Sequence, residues 1–265
     1  MLPVKRQGEG LPALIFMPFT GGSWREYSRT IPSLDDKCEC IGLDLPGYGA
    51  ARDVAGYTVQ ELAANVADTV ASLGLKQFVL VGHSYSGRVA AVVARSAADG
   101  DARLKGLSGL ILIAPATFSP DPLPEDIRAQ LLEMFESPPA TDEQGKQKDR
   151  QTAEQFILMN VAHTLPADVL AAATEDVLLM NRAAWKSWYG DESKKDWSER
   201  IGVLQLPVLI VAGEKDPSLG PSVQEKHNLL HLPNGKLEIL NANHLMPLEM
   251  PKELAGLIRR FVAKL

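Results

Sequence analysis

The sequence predicts an α/β fold: a mostly parallel central sheet flanked by helices, with an inserted α-helical cap. Three observations predict it. Short apolar runs bounded by turn residues recur along the chain and alternate with amphipathic stretches. The alternation breaks once, between Ser119 and Arg200, where helical patterns follow one another for roughly eighty residues without a strand, too many for a simple crossover. At 265 residues the chain is also long enough for one large domain, since a chain of this size buries roughly three-quarters of its unfolded surface.

The runs read as strands are ALIFM (13–17), CECIGLD (38–44), QFVLVG (77–82), GLILIA (109–114), PVLIVAG (207–213) and KLEIL (236–240). Each has the near-continuous hydrophobicity of a strand buried on both faces. Cys38 and Cys40, the only cysteines, fall in the second run, where alternation turns both to one face. No CxxC and no nearby histidine accompanies them, so they read as small apolar packing groups. VQELAANVADTVASLG (59–74) carries apolar residues at helical spacing and ends on Gly74, a C-cap signal. The final helix opens with Pro251 and closes with cationic residues, which suits its dipole.

The break in alternation starts with SPDPLPED, whose three prolines mark a boundary. Four helical stretches follow: EDIRAQLLEMF, KDRQTAEQFILMNVA, PADVLAAATEDVLLM and NRAAWKSWYG. Residues 1–118 and 201–265 are therefore expected to form the core, and 119–200 a helical cap. Trp185, Trp188 and Trp197 lie in the cap with Phe135 and Phe156. They read either as the cap's own small core or as the ceiling of an apolar pocket, with Trp185 and Trp188 as the candidate pocket residues.

Charged residues are 23% of the chain, the net charge is −6, and no basic stripe is present. That argues against a phosphate-binding surface, so no nucleic-acid partner is expected. The N-terminus, MLPVKRQGEG, lacks an apolar core, and no segment approaches the roughly 18 apolar residues that span a bilayer. The expectation is a cytoplasmic protein without a membrane partner, acting on a small molecule.

The stretch GHSYSG (82–87) holds two serines in one turn. A serine hydroxyl is a poor nucleophile at neutral pH and needs a base and oxyanion donors around it. A sharp strand-to-helix turn supplies such a setting, but demands small residues two positions either side of the nucleophile. Ser84 has Gly82 and Ser86 there; Ser86 has Ser84 and Arg88, and an arginine does not fit. Ser84 is the candidate nucleophile, Ser86 the steric filler, and Tyr85 the residue whose backbone N–H faces an oxyanion.

The acid is sought past the carboxyl end of a parallel strand, where α/β sheets place their chemistry. PVLIVAG is followed by EKDPSLG, and Asp216 is preferred over Glu214 because Pro217 fixes a turn directly after it. KLEIL is followed by NANHLMP, which places His244 before the last helix. The chain order Ser84, Asp216, His244 is that of α/β-hydrolases.

On these motifs the chain resembles a capped, esterase-like α/β-hydrolase with a serine nucleophile over nearly all its length. LDLPGYGA (43–50) is similar to the family's D-x-P-G-x-G turn, and GEKDP and NHLMPLEM to its acid and histidine loops. One motif departs: where many relatives carry His-Gly, FMPFTGGSW has Met17 and Pro18. The resemblance implies that Phe19 gives the second oxyanion N–H, which Pro18 leaves free, and Gly21 and Gly22 loosen the loop beyond. Thr20 reads as a turn residue or as a pocket hydroxyl.

The other histidines have quieter readings. His83 is expected beneath the site as a packing or hydrogen-bonding group. His227 and His231, at i and i+4 without an HExxH pattern, are expected on an exposed helix face. His163 lies in the cap, where the sequence leaves its direction open.

The chemistry implied is hydrolysis of a carboxylic ester or lactone of a small, largely apolar substrate, with no cofactor and no metal. Two further enzymes use the same triad: a carbon–carbon bond hydrolase of ring-cleavage diones, and a cofactor-free haloperoxidase or perhydrolase. A ligand-binding receptor on the same fold is the non-enzymatic alternative. Serine at 84 disfavours dehalogenases and epoxide hydrolases, which attack with a carboxylate.

Overall fold

Strands whose every position is apolar have to be covered on both faces, which requires helical layers on each side of the sheet. A computed structural model of residues 1–265 has that arrangement. One sheet contains β1 (Val4–Gln7), β2 (Ala13–Met17), β3 (Cys40–Leu43), β4 (Phe78–His83), β5 (Leu107–Ile113), β6 (Val208–Gly213) and β7 (Gly235–Leu240). The spatial order is β1-β3-β2-β4-β5-β6-β7. Only β1 is antiparallel to its neighbour. The order switches direction between β2 and β4, and the crevice beyond the carboxyl ends of such a pair is where α/β sheets bind ligands.

Alternation along each strand divides the core in two. Ile15, Met17 and Leu80 face one layer with α1 (Val59–Leu73) and α2 (Tyr85–Ala98). Leu14, Phe16, Val79 and Val81 face the other, with Tyr27, Ile31 and the last helix. The start of α1 is set by a reciprocal cap: Thr58 Oγ1 accepts from the Glu61 N–H while the Glu61 carboxylate accepts from the Thr58 N–H. It ends on Gly74 at φ +64°, a conformation that suits glycine.

Both sheet edges differ from the sequence expectation. β1 has no apolar run to reveal it: its side chains are largely exposed, and backbone pairing to β3 holds it in place. β7, read as buried on both faces, is the opposite edge, and Lys236, Glu238 and Ile239 are exposed. Cys38 precedes β3 rather than lying in it. Both cysteines are buried and unpaired, and burial pushes the Cys40 thiol up to about 12.

No strand lies between β5 and β6. That stretch holds α3 (Glu125–Met134), α4 (Glu143–Met159), α5 (Ala167–Leu179), α6 (Arg182–Gly190) and the single turn α7 (Ser198–Ile201). After β6 come α8 (Pro221–His227), the turn α9 (Met246–Glu249) and α10 (Pro251–Val262). The intervening helices are tied to the sheet through polar groups. Asp176 accepts from Ser23 Oγ at 2.8 Å and pairs with Arg25, and Glu192 Oε2 accepts the Val59 N–H at 3.0 Å. The fully buried Arg88 donates to the carbonyls of Thr117 and Glu192 and to Asp121, and its guanidinium stacks on Trp188.

His227 and His231 are not on an exposed face. His227 Nδ1 lies 2.8 Å from Ser119 Oγ, and His231 Nδ1 lies 3.0 Å from the Gly202 carbonyl. The two half-buried rings therefore fasten the entry and the exit of the intervening segment, contacts far from them in sequence and invisible in an i, i+4 spacing.

Candidate active site

The turn from β4 into α2 forces Ser84 to φ +58°, ψ −123°. A non-glycine residue there costs of order 1–3 kcal/mol and persists only where its surroundings over-determine it. Here they do. The Ser84 N–H donates to the Ile113 carbonyl, and the Ser84 carbonyl accepts from Gly87 and Ala116, each at 2.9 Å. A Cβ added at Gly82 would lie 2.5 Å from the Ser86 carbonyl oxygen, and one at Gly87 would lie 2.6 Å from Pro115 Cβ. The turn thus requires glycine at 87 as well as at 82.

Ser86 does more than fill space. Its hydroxyl is fully buried, accepts from the His83 N–H at 2.8 Å, and lies within donating distance of the carbonyls of Met17 (3.0 Å) and His83 (2.9 Å). It therefore joins the β4 turn to the end of β2.

Asp216 sits in the turn after β6. Its Oδ1 accepts the N–H groups of Ser218 and Leu219, each at 2.9 Å, and its Oδ2 lies 2.7 Å from His244 Nδ1. Burial pushes this carboxyl up, but the charge and hydrogen bond of His244, with the two N–H donors, outweigh it and hold the group below the usual carboxylate range. A carboxylate only accepts, so Nδ1 carries a proton and Nε2 is the ring nitrogen left to exchange one. Glu214 is exposed to solvent. The loop bearing His244 is braced by the end of α4: the Leu245 N–H donates to the Asn160 carbonyl, and the Asn243 N–H donates to Glu249.

At the end of β2 the Met17 carbonyl accepts from Tyr27 Oη at 3.0 Å as well as facing Ser86. The Phe19 N–H, expected to be free, donates to Glu26 Oε2 at 3.3 Å. Glu26 Oε1 in turn lies 2.9 Å from His83 Nδ1, and His83 Nε2 lies 2.9 Å from the His244 carbonyl. Sequence reasoning passed over Glu26, because a turn glutamate carries no motif and its partner is 57 residues away. Tyr85 is the first residue of α2, and an α-helix leaves its first four N–H groups without an internal partner.

Ser84, Asp216 and His244 line one cavity of about 410 Å³ with Phe19 and Thr20. Leu131, Phe156 and Trp188 contribute to its other wall. The Thr20 hydroxyl is buried and makes no hydrogen bond. Trp185, paired with Trp188 as a pocket residue in the sequence reading, does not line the cavity. Its indole is fully buried, donates to the Leu131 carbonyl at 2.8 Å, and packs on Phe135, Phe156 and Tyr189. The two tryptophans are three residues apart and share one face of α6, and only Trp188 reaches the cavity. His163 is exposed, lies outside the lining and faces the Asn241 carbonyl.

A hydroxyl on a strained turn, an imidazole oriented by a buried carboxylate and a helix N-terminus sharing one cavity can carry nucleophilic proton-coupled chemistry. A model of the alpha/beta hydrolase family matches residues 14–257. The chain belongs to this family. In the turn LDLPGYGA, Asp44 is buried and accepts from the N–H groups of Trp24 (2.7 Å) and Ala50 (2.9 Å).

Among relatives of this alpha/beta hydrolase is 3-oxoadipate enol-lactonase 1 of Acinetobacter baylyi, 22% identical over 96% of this chain and 90% of that protein. The match to 2-succinyl-6-hydroxy-2,4-cyclohexadiene-1-carboxylate synthase of Enterobacter sp. (strain 638), 36% identical, spans only 31% of that protein. An esterase from Exiguobacterium antarcticum superposes with a TM-score of 0.78 at 17% identity, covering 98% of this chain and 94% of that one. At that identity the likeness shows the fold. No helix is long and apolar enough to cross a membrane.

Proposed function

We propose that this alpha/beta hydrolase cleaves a carboxylic ester or lactone of a small, largely apolar substrate through Ser84, His244 and Asp216. The observation that carries the proposal is the meeting of the Ser84 turn and the Asp216–His244 pair on one cavity with apolar side chains in its wall. Ser84 Oγ attacks the acyl carbonyl while His244 Nε2 takes its proton, and Asp216 holds the imidazole in the required tautomer. The N–H groups of Tyr85 and Phe19 serve the tetrahedral oxyanion. Losing one such donor typically costs about 3 kcal/mol of transition-state stabilisation. Protonated His244 then donates to the leaving oxygen, and water repeats the attack to release the acid. Residues 119–200 act as the cap that supplies the apolar wall, including Trp188.

Carboxylate attack is disfavoured because position 84 is serine and lacks the group, and an esterase among the structural neighbours and an enol-lactonase among the relatives are in keeping with the ester or lactone reading. The test pairs a fluorophosphonate with a panel of short-chain p-nitrophenyl esters and lactones. Wild type is expected to be labelled at Ser84 and to hydrolyse a member of the panel, and Ser84→Ala to do neither. Turnover that survives in Ser84→Ala would remove Ser84 from the mechanism.

A further inference from the structure

The acyl-transfer scheme makes no use of the buried pair that lies between its two halves. The side chains of Glu26 and His83 are 2% and 1% exposed. They connect the Phe19 N–H, through the carboxyl and the imidazole, to the backbone carbonyl of His244. A carbonyl only accepts, so His83 Nε2 carries a proton. One further proton lies in the contact between Glu26 Oε1 and His83 Nδ1. Whichever atom bears it, the pair is neutral as a whole: carboxylate with imidazolium, or carboxylic acid with imidazole.

The two forms act differently on Phe19. A carboxylate is a charge-assisted acceptor and holds the N–H; an acid whose proton is on Oε1 offers only a carbonyl oxygen at Oε2. In the resting site the Phe19 N–H favours the carboxylate, and the His244 carbonyl dipole favours the imidazolium. The hydrogen bond from the Phe19 N–H to Glu26 Oε2 is long, at 3.3 Å, so the N–H is held weakly.

We infer that the Glu26–His83 pair positions the Phe19 N–H, holding it off the cavity at rest and releasing it to the oxyanion as charge develops. The inference rests on the triad reading above. In the tetrahedral intermediate a negative charge forms beside Phe19, and a positive charge forms on His244, whose ring centroid is 5.2 Å from that of His83. The first charge disfavours a carboxylate at Glu26, and the second disfavours an imidazolium at His83. Both drive one proton from Nδ1 to Oε1: the Nδ1–H bond breaks, the Oε1–H bond forms, and no charge leaves the pair. Glu26 and His83 are positioning residues here, since neither touches the substrate.

Nitrogen-15 NMR of the histidine-labelled protein tests this, with His83 assigned by loss of its signals in His83→Asn. The probe is an aryl trifluoromethyl ketone, which forms a tetrahedral adduct with a serine nucleophile. Nδ1 of His83 is expected to be protonated in the free enzyme and unprotonated in the adduct. An adduct on Ser84, verified by mass spectrometry, with His83 unchanged overturns the inference and leaves the triad standing. No adduct on Ser84 brings down both. In kinetics, Glu26→Ala leaves the Phe19 N–H with nothing to fix its direction and His83 Nδ1 without its partner, and is expected to lower kcat about tenfold or more with KM within about twofold. Glu26→Gln, the neutral shape of the proton-shifted pair, is expected to restore kcat to within about threefold of wild type. A glutamine variant as slow as the alanine variant contradicts the inference.

Discussion

His244 Nδ1 lies 2.7 Å from Asp216 Oδ2, and the other oxygen of the same carboxylate accepts two backbone N–H groups. One oxygen orients the imidazole and the other anchors the carboxylate to its own turn. Asp216→Asn keeps the shape but lets the amide select the wrong tautomer. Its kcat for the best ester of the panel is expected to fall by about 10³–10⁴-fold. Glu214→Gln, at an exposed position, is expected to stay within about twofold. Steady-state kinetics on the two variants checks the ranking, and a larger loss in Glu214→Gln would move the acid to that residue.

Ser84 carries a backbone conformation that glycine adopts more readily than alanine. Ser84→Ala and Ser84→Gly both remove the hydroxyl, so both are expected to be inactive. They separate in stability: the glycine variant is expected to exceed the alanine variant by about 1 kcal/mol or more in urea unfolding, because strain is relieved only in the former. Equal stabilities would mean that the turn is not strained.

Trp188 and Trp185 stand one helical turn apart, one in the cavity wall and the other in the packing between the intervening helices. Trp185→Ala removes a fully buried indole and its hydrogen bond, and is expected to destabilise by about 3–5 kcal/mol. Trp188→Leu keeps an apolar wall and is expected to change the ranking of acyl groups in kcat/KM more than it changes Tm. Thermal melts and an ester chain-length series decide the assignment, and the reverse pattern would exchange the two roles.

These contrasts show what a sequence exposes. Strands buried on both faces announce themselves through uninterrupted apolar runs, and Ser84 and Asp216 each follow one, whereas His244 follows the edge strand β7; the sheet and the candidate triad were legible all the same. β1 was not, because an edge strand held by backbone pairing needs no apolar side chains. Glu26 was hidden for a related reason: its carboxylate acquires meaning only when β2 and β4 are neighbours, which brings it to Phe19 and His83. The facing of Trp185 and Trp188 depends on how α6 packs, and helical periodicity sets their separation without setting which one meets the cavity.

Acid stability follows from Asp216. Burial acts to raise its carboxyl, but His244 and the backbone donors hold it below its ordinary value. A group with a depressed value binds fewer protons folded than unfolded between the two values, so stability rises with pH across that interval. The contribution is complete above the unfolded value, about 3.9, and is lost as pH falls through the folded one. Asp216→Asn has no such titration. The urea stability difference between wild type and Asp216→Asn is therefore expected to hold steady from about pH 7 to about pH 5 and to narrow below about pH 4. A difference that narrows already between about pH 7 and about pH 5 would assign the acid sensitivity to another group.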